Sequence, residues 1–205
     1  KASGVQFEMY STAISADGRF VAFSSEATTL VSGDTNNVRD IFVRDRDFDQ
    51  DGIFDEPGSV QTTRISVGPG GLQANGNSWE VSITSDGRYV AYSSDASNLV
   101  SGDGNGARDV FVYDRQTMTT VRASVVHNTA NTSGNGFSDQ PFIAGNGRYV
   151  AFRSAANNLV VGDLPNVHDI FLRDMALNRT YLISSDVATP AVPGNDHSLT
   201  PSLSA

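Results

Sequence analysis

The chain has 205 residues, no cysteine and a single lysine, Lys1; 14 basic residues stand against 23 acidic ones, for a net charge of −9. Lack of cysteine excludes disulfides, thiol catalysis and thiolate metal sites. An acidic chain without a Lys/Arg cluster argues against nucleic acid and anionic membranes as partners, and no apolar run reaches the roughly 18 residues that a spanning helix needs.

Taken from the start, residues 1–16 read as a polar lead-in and a short strand ending at Ile14. Asp17-Gly18 follows, and Asp-Gly or Asn-Gly between apolar runs is the strongest short hairpin signal, here predicting a type I′ turn with φ > 0 at both central residues. The second strand is Arg19–Ser24, where aromatic and β-branched residues alternate with alanine, as in a strand buried on both faces. Glu26-Ala27-Thr28-Thr29-Leu30-Val31-Ser32-Gly33-Asp34 is then a polar loop with an apolar plug, with room for one helical turn. The third strand is Asp40–Asp45 and the fourth Thr62–Val67.

This series occurs three times. Ile14-Ser15-Ala16-Asp17-Gly18-Arg19-Phe20-Val21-Ala22-Phe23 returns as Ile83–Tyr92 and as Ile143–Phe152. The plug loop returns at 95–103 and 155–163, the third strand at Asp109–Asp114 and Asp169–Asp174, and the fourth at Thr120–Val125 and Thr180–Ser185. The turn glycines Gly18, Gly87 and Gly147 stand 69 and then 60 residues apart, and the extra length lies between strands three and four of the first unit. Self-similarity at such a period sets the architecture before any local reading does. Ser198–Ser204 matches the start of a fourth unit.

Four-stranded antiparallel units in tandem are the blades of a β-propeller, so the fold class is all-β. The run Ile-Ser-x-Asp-Gly-Arg-Tyr-Val-Ala-Phe, then Asn-Leu-Val-x-Gly-Asp, then Asp-Ile-Phe-Val-x-Asp resembles the TolB-type, WD40-like propeller repeat. The resemblance covers nearly the whole chain and implies a bacterial protein with blades near 10–67, 79–125 and 138–185, and a further first strand at 198–205. It also implies a six-bladed ring. Three blades leave two faces wet, which soluble monomers rarely tolerate. Further blades of a longer chain, or a second copy, are therefore the expected partners.

The first unit alone carries Asp45-Arg46-Asp47-Phe48-Asp49-Gln50-Asp51-Gly52-Ile53-Phe54-Asp55-Glu56. Carboxylates at positions 1, 3, 5 and 9, around a glycine at position 6, suit a hard cation that takes 6–8 oxygens at about 2.3–2.6 Å. Asp47, Asp49, Asp51 and Asp55 are the candidate ligands, with the Ile53 carbonyl at position 7 and Glu56 as a substitute. Position 12 is Gly58, so the loop is not an EF-hand. It resembles the nine-residue calcium loop of integrin α-subunit propellers. Ca²⁺ is the expected ion. The bland reading is an acidic, solvated insertion.

Other features have plainer readings. Asp34-x-Asn36 with Asp40, and Asp103-x-Asn105 with Asp109, fit turn-capping with the strand-initial Asp bonding backbone N–H groups, rather than a metal. The repeated Arg19, Arg88 and Arg148 fit pairing with the Asp that ends strand three, or snorkelling over the blade. His127, His168 and His197 have no metal-site spacing, and no nucleophile elbow is present. Trp79, Phe7, Tyr10 and Phe137 pack blades or line a rim.

Three functions follow. The first is a non-catalytic, calcium-stabilised propeller, extracellular, surface-bound or periplasmic, serving protein interaction or structure, because free calcium outside cells saturates a loop of moderate affinity. The second is the propeller domain of a larger secreted hydrolase or lyase, which needs convergent His, Glu and Arg. The third is a carbohydrate-binding module using the rim aromatics.

Overall fold

A computed structural model describes residues 11–163, 165, 167–185, 194 and 197–203. Three four-stranded antiparallel sheets follow one another along the chain. The first contains β1 (Thr12–Ile14), β2 (Phe20–Ser25), β3 (Asp40–Asp45) and β4 (Gln61–Arg64). The second contains β5 (Ser78–Ile83), β6 (Tyr89–Ser94), β7 (Asp109–Asp114) and β8 (Thr119–Arg122). The third contains β9 (Ser138–Ile143), β10 (Tyr149–Ser154), β11 (Asp169–Asp174) and β12 (Arg179–Leu182). The one helical element among the described residues is a single 3-10 turn, Pro69–Gly71.

The repeat in sequence is a repeat in register. Phe23 pairs with Phe42, Tyr92 with Phe111 and Phe152 with Phe171. Their ring centroids lie 5.8, 5.9 and 5.9 Å apart. One apolar cluster joins Ile41, Val43 and Ile65 of the first sheet to Val90, Tyr92 and Phe111 of the second. A second cluster repeats that contact one unit on, with Val110, Val112 and Ala123 against Val150, Phe152 and Phe171. Burying side chains of this size stabilises by about 1.5–3 kcal/mol each, so these two seams dominate the core.

Two local expectations are corrected. The Asp-Gly turns are not type I′: φ is positive at Gly18, Gly87 and Gly147, and not at Asp17, Asp86 or Asn146. Gly18 N–H donates to the Ser15 carbonyl, and Asp17 accepts from Arg19 N–H, so the turn is type I closed by a left-handed glycine. A second demand fixes two of these glycines, since a Cβ at Gly87 or Gly147 would collide with the ring of Phe20 or Tyr89 from the preceding unit. Strand four is also shorter than expected. It stops at Arg64 because Ser66 leaves the ladder: its hydroxyl donates to Asp40 and accepts from Ile41 N–H at 3.0 Å. Ser124 and Ser184 repeat this with Asp109 and Val110, and with Asp169 and Ile170.

The plugs of the β6–β7 and β10–β11 loops dock on the unit before them. Leu99 and Leu159 are 1% and 0% exposed, whereas Leu30, with no earlier sheet among the described residues, is 37% exposed. At the other end, Ile183 stands where Ile65 and Ala123 stand, yet is 53% exposed against their 0%. Residues 198–203 run along the third sheet as β9 runs along the second. Ser198 N–H donates to the His168 carbonyl, as Ser138 N–H does to Arg108. Thr200 has φ 32, matching the bulge residues Glu80 (φ 46) and Gln140 (φ 51).

Candidate metal centre

The acidic loop lies within the β3–β4 hairpin, over residues 46–60. Its base is closed by Phe48 N–H to the Ser59 carbonyl, 2.9 Å, and Asp55 N–H to the Arg46 carbonyl, 2.8 Å. Left-handed φ at Gln50 (65°) and Gly52 (89°) turns the chain back on itself. That turn gathers the acids. Asp47, only 6% exposed, accepts from Asp51 N–H at 3.0 Å and from Gly52 N–H at 3.2 Å. Asp51 accepts from Ile53 N–H at 2.8 Å, and Asp49 accepts from the Ser59 hydroxyl at 2.8 Å. One carboxylate oxygen from each of Asp47, Asp49 and Asp51 lies within 4.8 Å of the others.

Electrostatics follow from this convergence. Two carboxylates about 4 Å apart repel by about 4 kcal/mol at an effective dielectric near 20. Glu56 is close enough to register the same field: the charge of Asp51, then loss of water, then the charge of Asp49 push its carboxyl up. A set of three converging carboxylates beside a fourth raised one is an all-oxygen donor set, which fits a hard divalent cation. Asp55 is placed differently. Arg46 grips it through Nε at 2.9 Å and Nη2 at 2.6 Å, and this hydrogen bond holds its carboxyl below the usual range. Ile53 follows the Gly52 turn with its side chain exposed. The Ser59 hydroxyl is an additional polar group that the Asp spacing did not reveal.

The second set of acids has a different fate. Arg64, the last residue of β4, lies 2.9 Å from Asp34 and 3.6 Å from Asp40. Arg122, the last of β8, lies 2.8 Å from Asp103 and 3.2 Å from Asp109, with none of the three side chains more than 3% exposed. A guanidinium thus sits where a metal would. The strand-initial Asp accepts from side chains, Ser66 and Asn36 for Asp40, rather than from the backbone N–H groups expected. In the third unit Leu182 replaces the arginine and Pro165 the asparagine, and one buried oxygen of Asp169, Oδ2, has no hydrogen-bond partner among the described residues.

The turn arginines pair as the spacing implied. Arg19 meets Asp45 at 2.8 Å, Arg88 meets Asp114 at 2.7 Å and Arg148 meets Asp174 at 2.8 Å. The histidines do not converge on the acidic loop. His127 Nδ1 contacts the Thr180 carbonyl, while His197 Nδ1 accepts from His168 N–H at 2.9 Å, as Asn77 does from Arg39 N–H. Trp79 is covered by arginine, with Arg108 at 3.8 Å and Arg39 at 5.9 Å from its ring centre. Phe137 packs edge-on to His168. Phe7 and Tyr10, the other rim candidates, lie outside the described residues.

Comparison with solved structures decides the architecture. A putative TolB from Agrobacterium tumefaciens superposes over 85% of this chain and 46% of its own, with a TM-score of 0.52 and 15% identity. The fold is that of a β-propeller. The three sheets are its blades, and residues 198–203 lie against the third as β9 lies against the second. Looser neighbours are the tricorn protease, at 14% identity, 93% of this chain, 15% of that one and TM-score 0.44, and the propeller domain of the trilobed protease from Pyrococcus furiosus, at 10%, 83%, 40% and 0.42. The chain spans less than half the length of each of these structures. No family model and no curated protein matches the sequence. No helix among the described residues is long and apolar enough to cross a membrane.

Proposed function

We propose that the chain is a non-catalytic, calcium-stabilised propeller module that works outside the cytoplasm in protein interaction or as structure. The observation that carries this reading is the convergence of Asp47, Asp49 and Asp51 within 4.8 Å, beside Glu56. In this reading the ion takes those carboxylates, with Glu56 as the substitute for Asp55, and cancels the repulsion that the turn creates. The ion's role is to lock the hairpin. Calcium at extracellular levels saturates a single loop of moderate affinity, which motivates the compartment. The incompletely buried Val21 and Phe23 of blade one, and the exposed Ile183 of blade three, take further blades, from the same polypeptide or a second copy. The carbohydrate alternative is less favoured, because a sugar stacking on Trp79 has to displace the Arg108 guanidinium.

The test is calorimetric titration of the metal-free protein with Ca²⁺ and with Mg²⁺. The reading expects one site per chain that prefers Ca²⁺, and its loss in Asp49→Asn. Absence of calcium heat in the parent protein sinks it.

A further inference from the structure

The seam between blades one and two contains a filled groove. Arg115, the first residue after β7, lies with its guanidinium 4.0 Å from the centre of the Phe20 ring. Its Nη1 donates to the Gly87 carbonyl at 2.8 Å, and the charges of Asp45 and Asp86 act on it at longer range. A guanidinium is therefore held by an aromatic ring from one blade and the turn carbonyl of the next, and the Asp that ends strand three is a third part, acting through its field rather than through an ion pair.

The seam between blades two and three repeats all three parts. Tyr89 lies beneath Gly147 as Phe20 lies beneath Gly87, and Asp114 ends β7 as Asp45 ends β3. The residue that should fill the groove is Met175. A groove of about 380 Å³ remains open there, lined by Tyr89, Asp114, Gly147 and Met175 over Val112 and Val121. Among the described residues no side chain hydrogen-bonds the Gly147 carbonyl.

We propose that this groove binds the arginine side chain of a polypeptide partner. The filled seam is the template: it shows a guanidinium accommodated by the corresponding ring and carbonyl, in the field of the corresponding carboxylate. A planar guanidinium over an aromatic face, with a carbonyl acceptor at its edge, uses both the cation–π attraction and the donor fork that distinguish arginine from lysine. The net charge of −9 favours a cationic partner. The open groove differs from its template in that Asn146 stands in place of Asp86; Arg148, which lies at its rim, is the counterpart of Arg88 in the filled seam. Asp114 is already paired with Arg88, but Asp45 is likewise paired with Arg19 and its charge still acts on Arg115. The apolar floor suits the methylene stem of the incoming side chain. The site gives the interaction reading a partner chemistry, and it does not depend on the acidic loop, so it is tested in EDTA and in calcium alike.

The experiment titrates acetyl-Gly-Arg-Gly-amide into protein carrying labelled glycine amides and methionine methyls, and follows Gly147 and Met175 by NMR. Saturable shifts are expected with a dissociation constant of about 1 mM, about fivefold weaker for the lysine peptide and absent for the glutamine peptide. Met175→Arg, which rebuilds the filled seam, should weaken peptide binding about tenfold or more. Arg115→Met should open a second site reported by Gly87, and this holds the proposal to account if Met175→Arg fails to fold. The proposal is overturned if the glutamine peptide shifts the same signals, if no saturation is reached, or if folded Met175→Arg binds as the parent does. Ethylguanidinium binding as tightly as the peptide would also overturn it, because the groove would then recognise a free guanidinium and not a polypeptide.

Discussion

Two groups of aspartates in this molecule end in opposite states. Where the chain enters β7, Asp103 and Asp109 converge on Arg122, and where it enters β3, Asp34 and Asp40 converge on Arg64. In the β3–β4 hairpin of blade one, Asp47, Asp49 and Asp51 converge on one another, with Glu56 beside them. In the first group the positive charge is built into the fold. In the second, Arg46, on the same hairpin, pairs with Asp55 instead. The difference teaches that an Asp-rich loop is a metal candidate only after the arginines of neighbouring strands have been counted. The spacing alone, Asp-x-Asn in blades one and two and Asp163-Leu164-Pro165 in blade three, does not make that distinction.

The comparison breaks most readily at Arg122. Removing one partner of a buried charge network leaves the others uncompensated, at a cost of about 3–5 kcal/mol. Arg122→Met is therefore expected to lose that much stability in urea at pH 8, where Asp103 and Asp109 both need the guanidinium. Burial lifts the Asp109 carboxyl to about 6. A raised folded pKa contributes stability that is present at low pH and lost as pH rises through that value. The variant lacks Arg122 to hold the charged form, so it gains more from protonation than the parent. The gap between them should narrow as pH falls from 8 to 5. A gap that stays constant would mean that Asp109 is not the group left stranded.

The second way to break the comparison is to supply the missing charge to the hairpin. At a calcium concentration of 100 dissociation constants, binding to the folded state alone stabilises by about 2.7 kcal/mol. Chelation should remove that amount and lower Tm. Asp49→Asn should abolish the calcium response while leaving the seams between blades intact. A parent Tm that ignores calcium would return the loop to a solvated acidic insertion.

Arg19 sharpens the comparison with a smaller effect. Its pair with Asp45 is partly exposed, and such bridges contribute about 1 kcal/mol or less. Arg19→Gln should cost about that much at pH 7, read by urea unfolding. Burial raises the Asp45 carboxyl, but hydrogen bonds from Arg19 and from Asp47 N–H outweigh it and hold the group below its ordinary value. A depressed pKa contributes stability above the ordinary value and loses it as pH falls through the folded one. The cost of Arg19→Gln should therefore fade in acid, well below the window where the Arg122 gap narrows.

Legibility followed the range of the interaction. The hairpins were readable because Asp-Gly turns and their flanking strands are local, and the third strand at Asp40–Asp45 came out residue for residue. The pairing of Arg19 with Asp45 was readable because it recurs in every unit. The end of strand four was not, because Ser66 answers to Asp40, which precedes it by 26 residues. The arginines at 64 and 122 were passed over for the same reason, since each meets its acids across a sheet. The type of the turn is not legible, because Asp-Gly is compatible with two hairpin loops and only the φ of Asp17 separates them. Within the acidic loop the spacing named Asp47, Asp49 and Asp51, which do converge. It gave no warning that Arg46, on the same hairpin, would compete for Asp55.

The smallest expected effect is the one that tests the hairpin without any metal. If Asp51 and Asp49 raise Glu56 by repulsion, the charged Glu56 opposes folding of the metal-free chain. Glu56→Gln should then raise the Tm of the chelated protein by about 1–2 °C at pH 7. The sign follows from linkage: a raised folded pKa gives stability that is present in acid and lost as pH rises, so the gain should vanish once the parent's Glu56 is protonated. In calcium the order should invert, because Glu56 now faces a cation and its removal weakens the site. A Glu56→Gln variant that shifts Tm in the same direction with and without calcium would show that Glu56 answers to something other than the charge gathered at Asp47, Asp49 and Asp51.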